Sequence, residues 1–479
     1  MRHPRRFIIA VWLAAPLLGC ASYRPAPIAP AANAAAIDSR SLEDPRLLRF
    51  VAAAGSSAAP TATVRSAGAT WDLSTLTLAA LYFHPTLDIA RSKLAEAHAA
   101  VVTAAAIPNP SLSLGELSYD ASLATPSPWT VGPAIRFIVE AFGKRAARVA
   151  QARRLVEAAR EDLATASWQV RGAVRASLID LWSARETVAL LRSRRGFQDQ
   201  LVTLLQRRLA AGDASALEIA RARIGLDQLG LALGEAERRR AQARGQLAAS
   251  IGVPLAALDE VRLSFAAVEH PRPPDAAEVA MLRRRALVRR SDVQSRLADY
   301  AAAQSALKLQ IAGQYPDIML TAGYIFDRGQ NKYLLSPAAD LPIFNQGQGP
   351  IAEAMARRQE AAARFTALQS RVIGEVDAAA ASYGAASRAA GAAEALAVAE
   401  DDRERRIERS FQAGGIDRPT LLAARIERSV AEQSRLAAVV QQRQALGALE
   451  DALQHPFFGQ DVAASLLQTS PRPPTELTP

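Results

Sequence analysis

Residues 144–173 read KRAARVAQARRLVEAAREDLATASWQVRGA. A valine or leucine recurs there every seven residues, and an alanine follows three positions after each one. These positions are Val149, Val156, Leu163 and Val170, followed by Ala152, Ala159, Ala166 and Ala173. This spacing is a heptad repeat, which is typical of long helices that pack against a neighbour along their whole length.

The heptads lie within a longer run, Ala134–Val253, that contains no proline although the chain has 27 prolines. A proline in a helix interior costs about 3 kcal/mol, so this run permits very long helices. We expect one helix over 144–211, which at 1.5 Å per residue would be roughly 100 Å long. A turn at Gly212 would lead into a return helix over 216–251. Such lengths favour a protein that spans a distance over a globular enzyme.

Composition and charge also favour packed helices. The 479-residue chain is 50% hydrophobic but only 5% aromatic, and its formal net charge is +10. Removal of residues 1–19, which include Arg2, Arg5 and Arg6, would leave 54 basic and 47 acidic residues, a net charge of +7. We interpret this excess as solvated helix faces, and we predict no nucleic-acid partner.

The N terminus has the pattern of a secreted bacterial lipoprotein. Basic residues precede the apolar run Phe7–Leu18, and Leu17-Leu18-Gly19-Cys20 resembles a lipobox. The resemblance implies a signal peptide over 1–19 and lipid on Cys20, the single cysteine. Residue 21 is alanine instead of the aspartate that marks inner-membrane retention, which implies the outer membrane. The alternative is a secretory signal with an incidental cysteine.

The rest of the chain reads as a tether, two internal repeats and a tail. Residues 20–70 are rich in proline and alanine and predict an extended tether. The first repeat, 71–265, would contain strands at about 111–120 and 129–140 before its two long helices, with a bulge near Gly115. The second, 266–458, would contain strands at about 316–327 and 332–343 and helices at about 350–413 and 419–454. Residues 459–479 predict a flexible tail.

The repeat can be checked at a fixed spacing. Ala211-Gly212 corresponds to Ala413-Gly414, and Ala222-Arg223 corresponds to Ala424-Arg425, both 202 residues apart. Each half therefore predicts the order helix, strand, strand, long helix, helix. The fold class is mainly α with a small β part.

The strand pattern suits a membrane. Strands of about eleven residues match the length of transmembrane β-strands. One face of each is apolar, while the other carries candidate lumen-facing residues. These are Arg136, Glu140, Asp317, Asp327 and Asp340. Four strands cannot close a barrel, and open edges are not tolerated in lipid, so the strands would be shared among several chains or belong to a soluble sheet.

Two segments resemble the TolC-like outer-membrane efflux family. Residues 108–112, Pro-Asn-Pro-Ser-Leu, resemble its first strand start, and Asp340–Gly349 resembles its second strand-to-helix junction. The resemblance covers about residues 71–455. It implies a homotrimer with a transmembrane twelve-stranded β-barrel in the cell outer membrane of a Gram-negative bacterium, continued by a long periplasmic α-helical barrel. It also implies a periplasmic adaptor (membrane fusion) protein and an inner-membrane RND-type pump as partners.

The same resemblance assigns the helix turns to the tip that contacts the adaptor. The candidate residues are Gly212, Asp213, Phe411, Gly414 and Asp417. Glycine at these turns is also what helix capping alone requires. Many family members narrow the tip with acidic residues six and nine positions after the second glycine. Here those positions are Thr420 and Ala423, so an acidic gate is not predicted.

The cargo is suggested by a short basic junction, Glu140–Arg148, which resembles the CzcC-like heavy-metal branch of the family. The resemblance implies a passive efflux duct for heavy-metal cations. Drugs, organic toxicants or secreted products are the alternative cargo. We predict no metal site and no cofactor in the chain itself, because no two histidines are spaced for one helix face.

Enzyme activity is not predicted. The chain has no phosphate-binding loop, no dinucleotide fingerprint and no nucleophile elbow. The rival of another class is a lipid-anchored coiled-coil protein that scaffolds the envelope. It explains the helices and the lipid, but it does not explain the alternating strand pairs.

Overall fold

The computed structural model describes residues 23–55, 70–115, 117–122, 127–259 and 261–459. The predicted signal peptide, Cys20 and residues 460–479 of the predicted tail lie outside the described residues. The elements are numbered in chain order. The helices outside the two hairpins are α1 Pro30–Asp38, α2 Pro45–Gly55, α3 Leu73–Phe83, α4 Pro85–Ala105, α7 Ala266–Glu269, α8 Ala276–Arg289 and α9 Ser291–Ala312.

Two long helical hairpins dominate the molecule. The first hairpin pairs α5, Lys144–Ala210, with α6, Ala216–Ile251; the second hairpin pairs α10, Gln348–Gln412, with α11, Arg418–Leu453. At 67 residues, α5 is roughly 100 Å long. No helix in the described part of the chain is both long and apolar enough to cross a membrane.

The hairpins begin at glycines that other residues could not easily replace. Gly143 and Gly347 precede α5 and α10 and adopt the left-handed conformation, with φ of +76° and +80°. Because glycine lacks a Cβ, it reaches this conformation without steric cost. Each glycine lets the chain turn from a strand directly into a helix.

In the described part of the chain, eight strands form two sheets. A small parallel pair joins β1, Thr70–Trp71, to β6, Arg262–Leu263. The main sheet is antiparallel and contains β2 Ser111–Ser113, β3 Leu117–Tyr119, β4 Trp129–Val131, β5 Ala134–Val139, β7 Ile318–Asp327 and β8 Gln330–Ala339. The chain crosses this sheet four times, because β2 and β3 form one pass and β4 and β5 form the next. The passes lie in chain order, and the first and last form the edges.

Two expected strands are interrupted. The 111–120 strand divides into β2 and β3, and the 129–140 strand divides at Gly132-Pro133. The register shows the reason: Ser113 pairs with Ala134 and Leu117 pairs with Val131, so three residues face two. This is the bulge expected near Gly115, whose φ is +26°.

The fourth strand was placed wrongly. It spans 330–339 instead of 332–343, because Arg328 and Gly329 alone form the turn. Both have positive φ, +50° and +90°, as a two-residue type I′ hairpin requires. Asp340 and the apolar residues after it therefore lie beyond the sheet.

The central core lies midway along the hairpins, where short helices and both ends of the described chain pack together. Its fully buried side chains come from α3, α5, α6, α8, α11 and the segment after α11. The tether prediction fails in part here. Residues 30–38 and 45–55 are helical, and Leu42, Leu47 and Val51 are buried in this core. The prediction relied on the high proline and alanine content of this segment and overlooked the short apolar stripe of α2.

One carboxylate in the core links the two hairpins to each other and to the segment after α11. Glu450 is fully buried and contacts Arg171 at 3.1 Å and Arg175 at 2.8 Å. Its second oxygen accepts hydrogen bonds from the backbone N–H groups of Phe457 and Phe458. Burial alone would lower the pKa of Arg175, but Glu450 and Asp451 raise it above its ordinary value. Two guanidinium groups and two carboxyl groups therefore lie together in this cluster, so that each arginine has a carboxyl partner.

Candidate functional surfaces

The main sheet has one apolar face that none of the described helices covers. The register places Phe137 beside Leu320 and Pro337, and Ile135 beside Ala322 and Leu335. Phe137 is 45% exposed and Leu335 is 68% exposed. Such a contiguous exposed apolar surface is uncommon on a soluble monomer and marks contact with lipid or protein.

Aromatic pairs lie at both ends of the passes. At the turn end, the rings of Tyr119 and Trp129 are 4.9 Å apart, and those of Tyr324 and Tyr333 are 5.7 Å apart. At the helix end, the ring of Phe142 stacks 4.4 Å from that of Tyr315. The ten residues of β7 extend about 34 Å, or about 26 Å along the normal of a bilayer at a usual barrel tilt. This height matches the apolar band of membrane barrels.

The opposite, polar face contains two of the predicted lumen-facing residues. Arg136 pairs with Ser111 on one side and Thr321 on the other. Asp327, near the turn end, accepts a 2.6 Å bond from Lys332 and a 3.2 Å bond from Thr130. The alternation of polar and apolar side chains therefore predicted the two faces of this sheet.

The other three candidates lie at the helix end. Glu140 forms a bidentate pair with Arg148, at 2.7 and 3.0 Å. Asp317 contacts the Lys144 ammonium at 2.7 Å. Asp340 is exposed and follows β8. These residues form a joint between sheet and helices, and only two of them pair with the basic residues of α5.

The basic residues of this joint also cap a helix. Arg145 donates to the carbonyl of Ala105 at 2.7 Å, and Arg148 donates to that of Ala104 at 2.9 Å. These carbonyls end α4 and have no partner within the helix. The Glu140–Arg148 sequence pattern is therefore explained by local structure, in addition to any resemblance to a family branch.

The two hairpin tips share one geometry. Gly212 and Gly414 both have positive φ, +82° and +75°. In each tip, the residue after the glycine donates its backbone N–H to the carbonyl five positions earlier. The glycine donates its own N–H to the carbonyl three positions earlier. The bonds are Asp213 to Arg208 at 2.8 Å, Gly212 to Leu209 at 2.9 Å, Gly415 to Ser410 at 2.8 Å and Gly414 to Phe411 at 3.0 Å. This is the Schellman motif, so both glycines are explained by capping.

The tips touch one another through Asp417. Its carboxylate caps α11 by accepting from the N–H of Thr420 at 3.1 Å, and it also pairs with Arg208 of the first hairpin at 3.0 Å. The bonds from Thr420, followed by Arg208, lower the pKa of Asp417 below its ordinary value. Asp213 is exposed and Phe411 is half-buried. Sequence reasoning missed Arg208, because a pair 209 residues apart leaves no local pattern.

The seam of a hairpin is the contact between its two helices. In the region between the central core and the tips, the seam of the first hairpin differs from that of the second. The first hairpin is held there by an apolar cluster of Val188, Leu191, Leu229, Leu233 and Ala236. In the second hairpin, arginines and carboxylates bridge the two helices instead. The bridging pairs are Arg403–Glu427 at 2.7 Å, Arg425–Glu408 at 2.6 Å, Arg428–Glu404 at 2.7 Å and Arg435–Glu394 at 3.2 Å. Among the described residues, the first hairpin has one such pair here, Arg192–Glu237 at 2.6 Å, so ion pairs contribute more to the second seam than to the first.

The described residues contain no group of three histidine, cysteine or acidic side chains that could hold a metal ion. His84, His98, His270 and His455 lie on separate elements. His84 ends α3 and its Nδ1 accepts from the N–H of Thr86 at 3.3 Å. Burial lowers the pKa of His84 below its ordinary value. Its role in the described structure is to cap α4.

The sequence model of the family described as "Outer membrane efflux protein" matches residues 77–253, which include the first two passes of the main sheet and the first hairpin. This segment of the chain is therefore similar to the outer membrane efflux protein family. The match ends within a residue of the glycine that terminates α6.

Two relatives of the chain have names that refer to different cargo. The chain is 26% identical over 283 residues to the cobalt-zinc-cadmium resistance protein CzcC of Cupriavidus metallidurans, over 59% of the chain and 65% of that relative. It is 26% identical over 282 residues to the pyoverdine export outer membrane protein OpmQ of Pseudomonas aeruginosa, over 54% of the chain and 58% of that relative. Both alignments span less than two thirds of the relative.

Solved structures extend the likeness to most of the fold. The chain superimposes on CusC with a TM-score of 0.65 at 19% identity, over 83% of the chain and 95% of CusC. This likeness includes the second hairpin and its strands, which the family match does not reach. The hairpins and the main sheet therefore have the same fold as CusC.

Proposed function

We propose that the protein is the outer-membrane duct of a tripartite efflux system, a passive exit from the periplasm to the exterior. One observation carries this proposal: an amphipathic sheet with two unpaired edges is attached directly to two helical hairpins of roughly 100 Å. Each part of this arrangement is incomplete in a single chain. Three copies would complete both parts.

The sheet supports a homotrimer. The first pass and β8 are its edges, and unpaired backbone groups cannot face lipid. Four passes per chain give twelve strands in three chains, which exceeds the eight strands of the smallest membrane barrels. The apolar face would contact outer-membrane lipid and the polar face would line a water-filled lumen. The hairpins would continue that lumen as a tube of twelve helices.

The length of the hairpins supports partners at the far end. The tips at Gly212 and Gly414 would lie roughly 100 Å from the membrane, deep in the periplasm. There we place contacts with a periplasmic adaptor protein and, through it, an inner-membrane RND-type pump. Asp213, Phe411 and Asp417 are the candidate contact residues beside the two glycines. Lipid on Cys20 would add an anchor in the same membrane.

The cargo we propose is heavy metal, supported by the CzcC relative and by the Glu140–Arg148 junction. A duct requires no metal ligands of its own, because the pump selects and drives the cargo. Organic export is the competing cargo, and OpmQ represents it among the relatives. Deletion of the gene, followed by tolerance tests with zinc, cobalt, cadmium, copper and a panel of organic toxicants, distinguishes them. Lost metal tolerance alone supports the proposal; lost tolerance only to organic compounds contradicts the metal cargo.

Electrophoresis tests the duct itself. Detergent-extracted protein, run with and without boiling, should show a trimer that resists detergent and dissociates on heating. A scaffold built from lipid-anchored coiled coil predicts an elongated helical dimer without this heat modification. Observation of that dimer would refute the duct.

A further inference from the structure

The polar face of the main sheet has an unpaired cation at mid-height. Arg136 is exposed on β5, and the residues beside it in register are Ser111, Thr321 and, one strand further, Ser336. All three are small hydroxyl side chains without charge. Of the described residues, none forms an ion pair with Arg136, whereas Asp327, Asp317 and Glu140 each have a cationic partner. Those partners are Lys332, Lys144 and Arg148.

The carboxylates on this face lie well away from Arg136. Asp317, directly before β7, is four residues from Thr321, about 13 Å, and Asp327 is six residues away, about 20 Å; Glu140 is four residues from Arg136, again about 13 Å. Asp340 follows β8, four residues beyond Ser336, at the helix end. These distances exceed the Debye length of about 8 Å at physiological ionic strength. The level of Arg136 is therefore net positive.

We infer that Arg136 makes the exit of this duct anion-preferring. The inference rests on the proposed trimer, in which threefold symmetry would place three Arg136 side chains on one ring inside the barrel. Rings of arginine or lysine are the usual means by which pores favour anions. Free divalent cations are repelled at this ring, and anionic solutes are concentrated there. Heavy metal would leave most readily in an anionic complex.

The dimensions permit the ring to act on solutes. Twelve strands about 4.8 Å apart, tilted by about 40°, enclose a backbone cylinder roughly 24 Å wide. An arginine side chain brings its charge roughly half-way to the axis of such a cylinder, so the centre of the lumen lies within about one Debye length of all three. A hydrated ion crossing this level cannot avoid their field.

Reversal potentials across planar lipid bilayers test the inference with the purified full-length protein. With a tenfold potassium chloride gradient, we expect the unmodified duct to favour chloride over potassium. Arg136→Gln should lower the ratio of chloride to potassium permeability by about threefold, and Arg136→Glu should make the duct favour potassium. Ser336→Arg adds a second arginine at the same level and should increase the preference for chloride.

A matched control uses a charge at the outer rim. Arg328→Gln removes the same charge from the turn between β7 and β8. Because Asp120 and Asp327 already lie within 4.0 Å of Arg328, this variant should change the ratio of chloride to potassium permeability less. A conducting duct that favours potassium, or one in which Arg136→Gln leaves the ratio unchanged, overturns the anion ring and leaves the duct intact. Absence of conductance in every variant contradicts the duct itself, and the ring with it.

Discussion

Glu450 holds the central core together as a single buried carboxylate between two arginines and two backbone N–H groups. Glu450→Gln keeps the shape but leaves the Arg171 and Arg175 guanidinium groups buried without a full counter-charge. We expect a loss of about 3 to 5 kcal/mol in the free energy of unfolding. Denaturant unfolding in detergent, followed by tryptophan fluorescence, measures it. Glu157→Gln removes an exposed partner of Arg154 and should cost less than about 1 kcal/mol; equal losses in both variants would contradict this role of Glu450.

Gly115 permits the bulge that divides the first pass of the sheet. A Cβ at this position would lie 2.4 Å from the carbonyl oxygen of Gly132, which is backbone and cannot rotate away. Gly115→Ala should therefore open the bulge and reduce the fraction of heat-modifiable trimer severalfold. Gly143→Ala is the matched control, because Gly143 also has positive φ but open space around it. It carries only the left-handed strain of about 1–2 kcal/mol, and a larger loss in this control would contradict the clash at Gly115.

Single residues differ in how well the sequence predicted them. Alternation predicted the faces of Arg136 and Asp327, because side chains in a strand follow a period of two whatever their neighbours are. Asp340 was expected in the sheet and lies outside it. The two-residue I′ turn starts β8 at Gln330, so β8 reaches the start of β7 at Ala339. The bonds of Arg171 to Glu450 and of Arg208 to Asp417 join residues 279 and 209 positions apart. Only the three-dimensional packing of the hairpins specifies such pairs.

At the level of elements, the start of α11 depends on the charge of Asp417. A carboxyl group whose pKa is lowered in the folded state contributes full stability above its unfolded pKa, about 3.9 for aspartate. That stability is lost as the pH falls through the lowered value. We therefore expect the second tip to loosen below about pH 4 and to be insensitive to pH between about 5 and 8. Protease cleavage at the tip, after brief exposure to each pH, measures this.

Two variants separate the contributions of Asp417. Asp417→Ala removes the cap and the pair and should loosen the tip by about 1 kcal/mol at neutral pH. Arg208→Ala removes only the exposed pair and should cost less. If Asp417→Ala retained the same pH dependence as the unmodified protein, another group would be responsible.

The two hairpins should respond differently to salt, because the second seam contains more ion pairs than the first. Raising the ionic strength from about 0.1 M to about 1 M shortens the Debye length from about 10 Å to about 3 Å. We expect faster amide exchange in the outer parts of α10 and α11 at high salt, and no such change around the apolar cluster of α5 and α6. Hydrogen exchange with mass spectrometry measures both hairpins in one sample. Arg425→Gln should produce part of the effect at low salt, and equal responses of the two hairpins would contradict the contrast.

Long helices were the most predictable elements, and short ones the least. The absence of proline and the heptads predicted α5 locally, and the observed long helices end within a few residues of the expected limits. The helix α2 was missed, because its apolar stripe is short and gains its stability from the central core. The interruption at Gly132-Pro133 was missed as well, because the even alternation continues on both sides of it.

The strands of the main sheet combine an apolar face with a polar one, and the proposed contacts of these faces with lipid and water can be tested with one residue type. Phe137→Arg places a charge on the apolar face at mid-height and should cost about 2–4 kcal/mol per chain in a bilayer. Ser336→Arg places the same charge on the polar face at nearly the same level and should be tolerated. The measurement is the amount of heat-modifiable trimer in the outer-membrane fraction of cells that express each variant. Because the proposed trimer would contain three copies, the cost of Phe137→Arg would apply three times and assembly should be almost abolished. Normal assembly of Phe137→Arg, or failure of both variants alike, would show that the apolar face does not meet lipid.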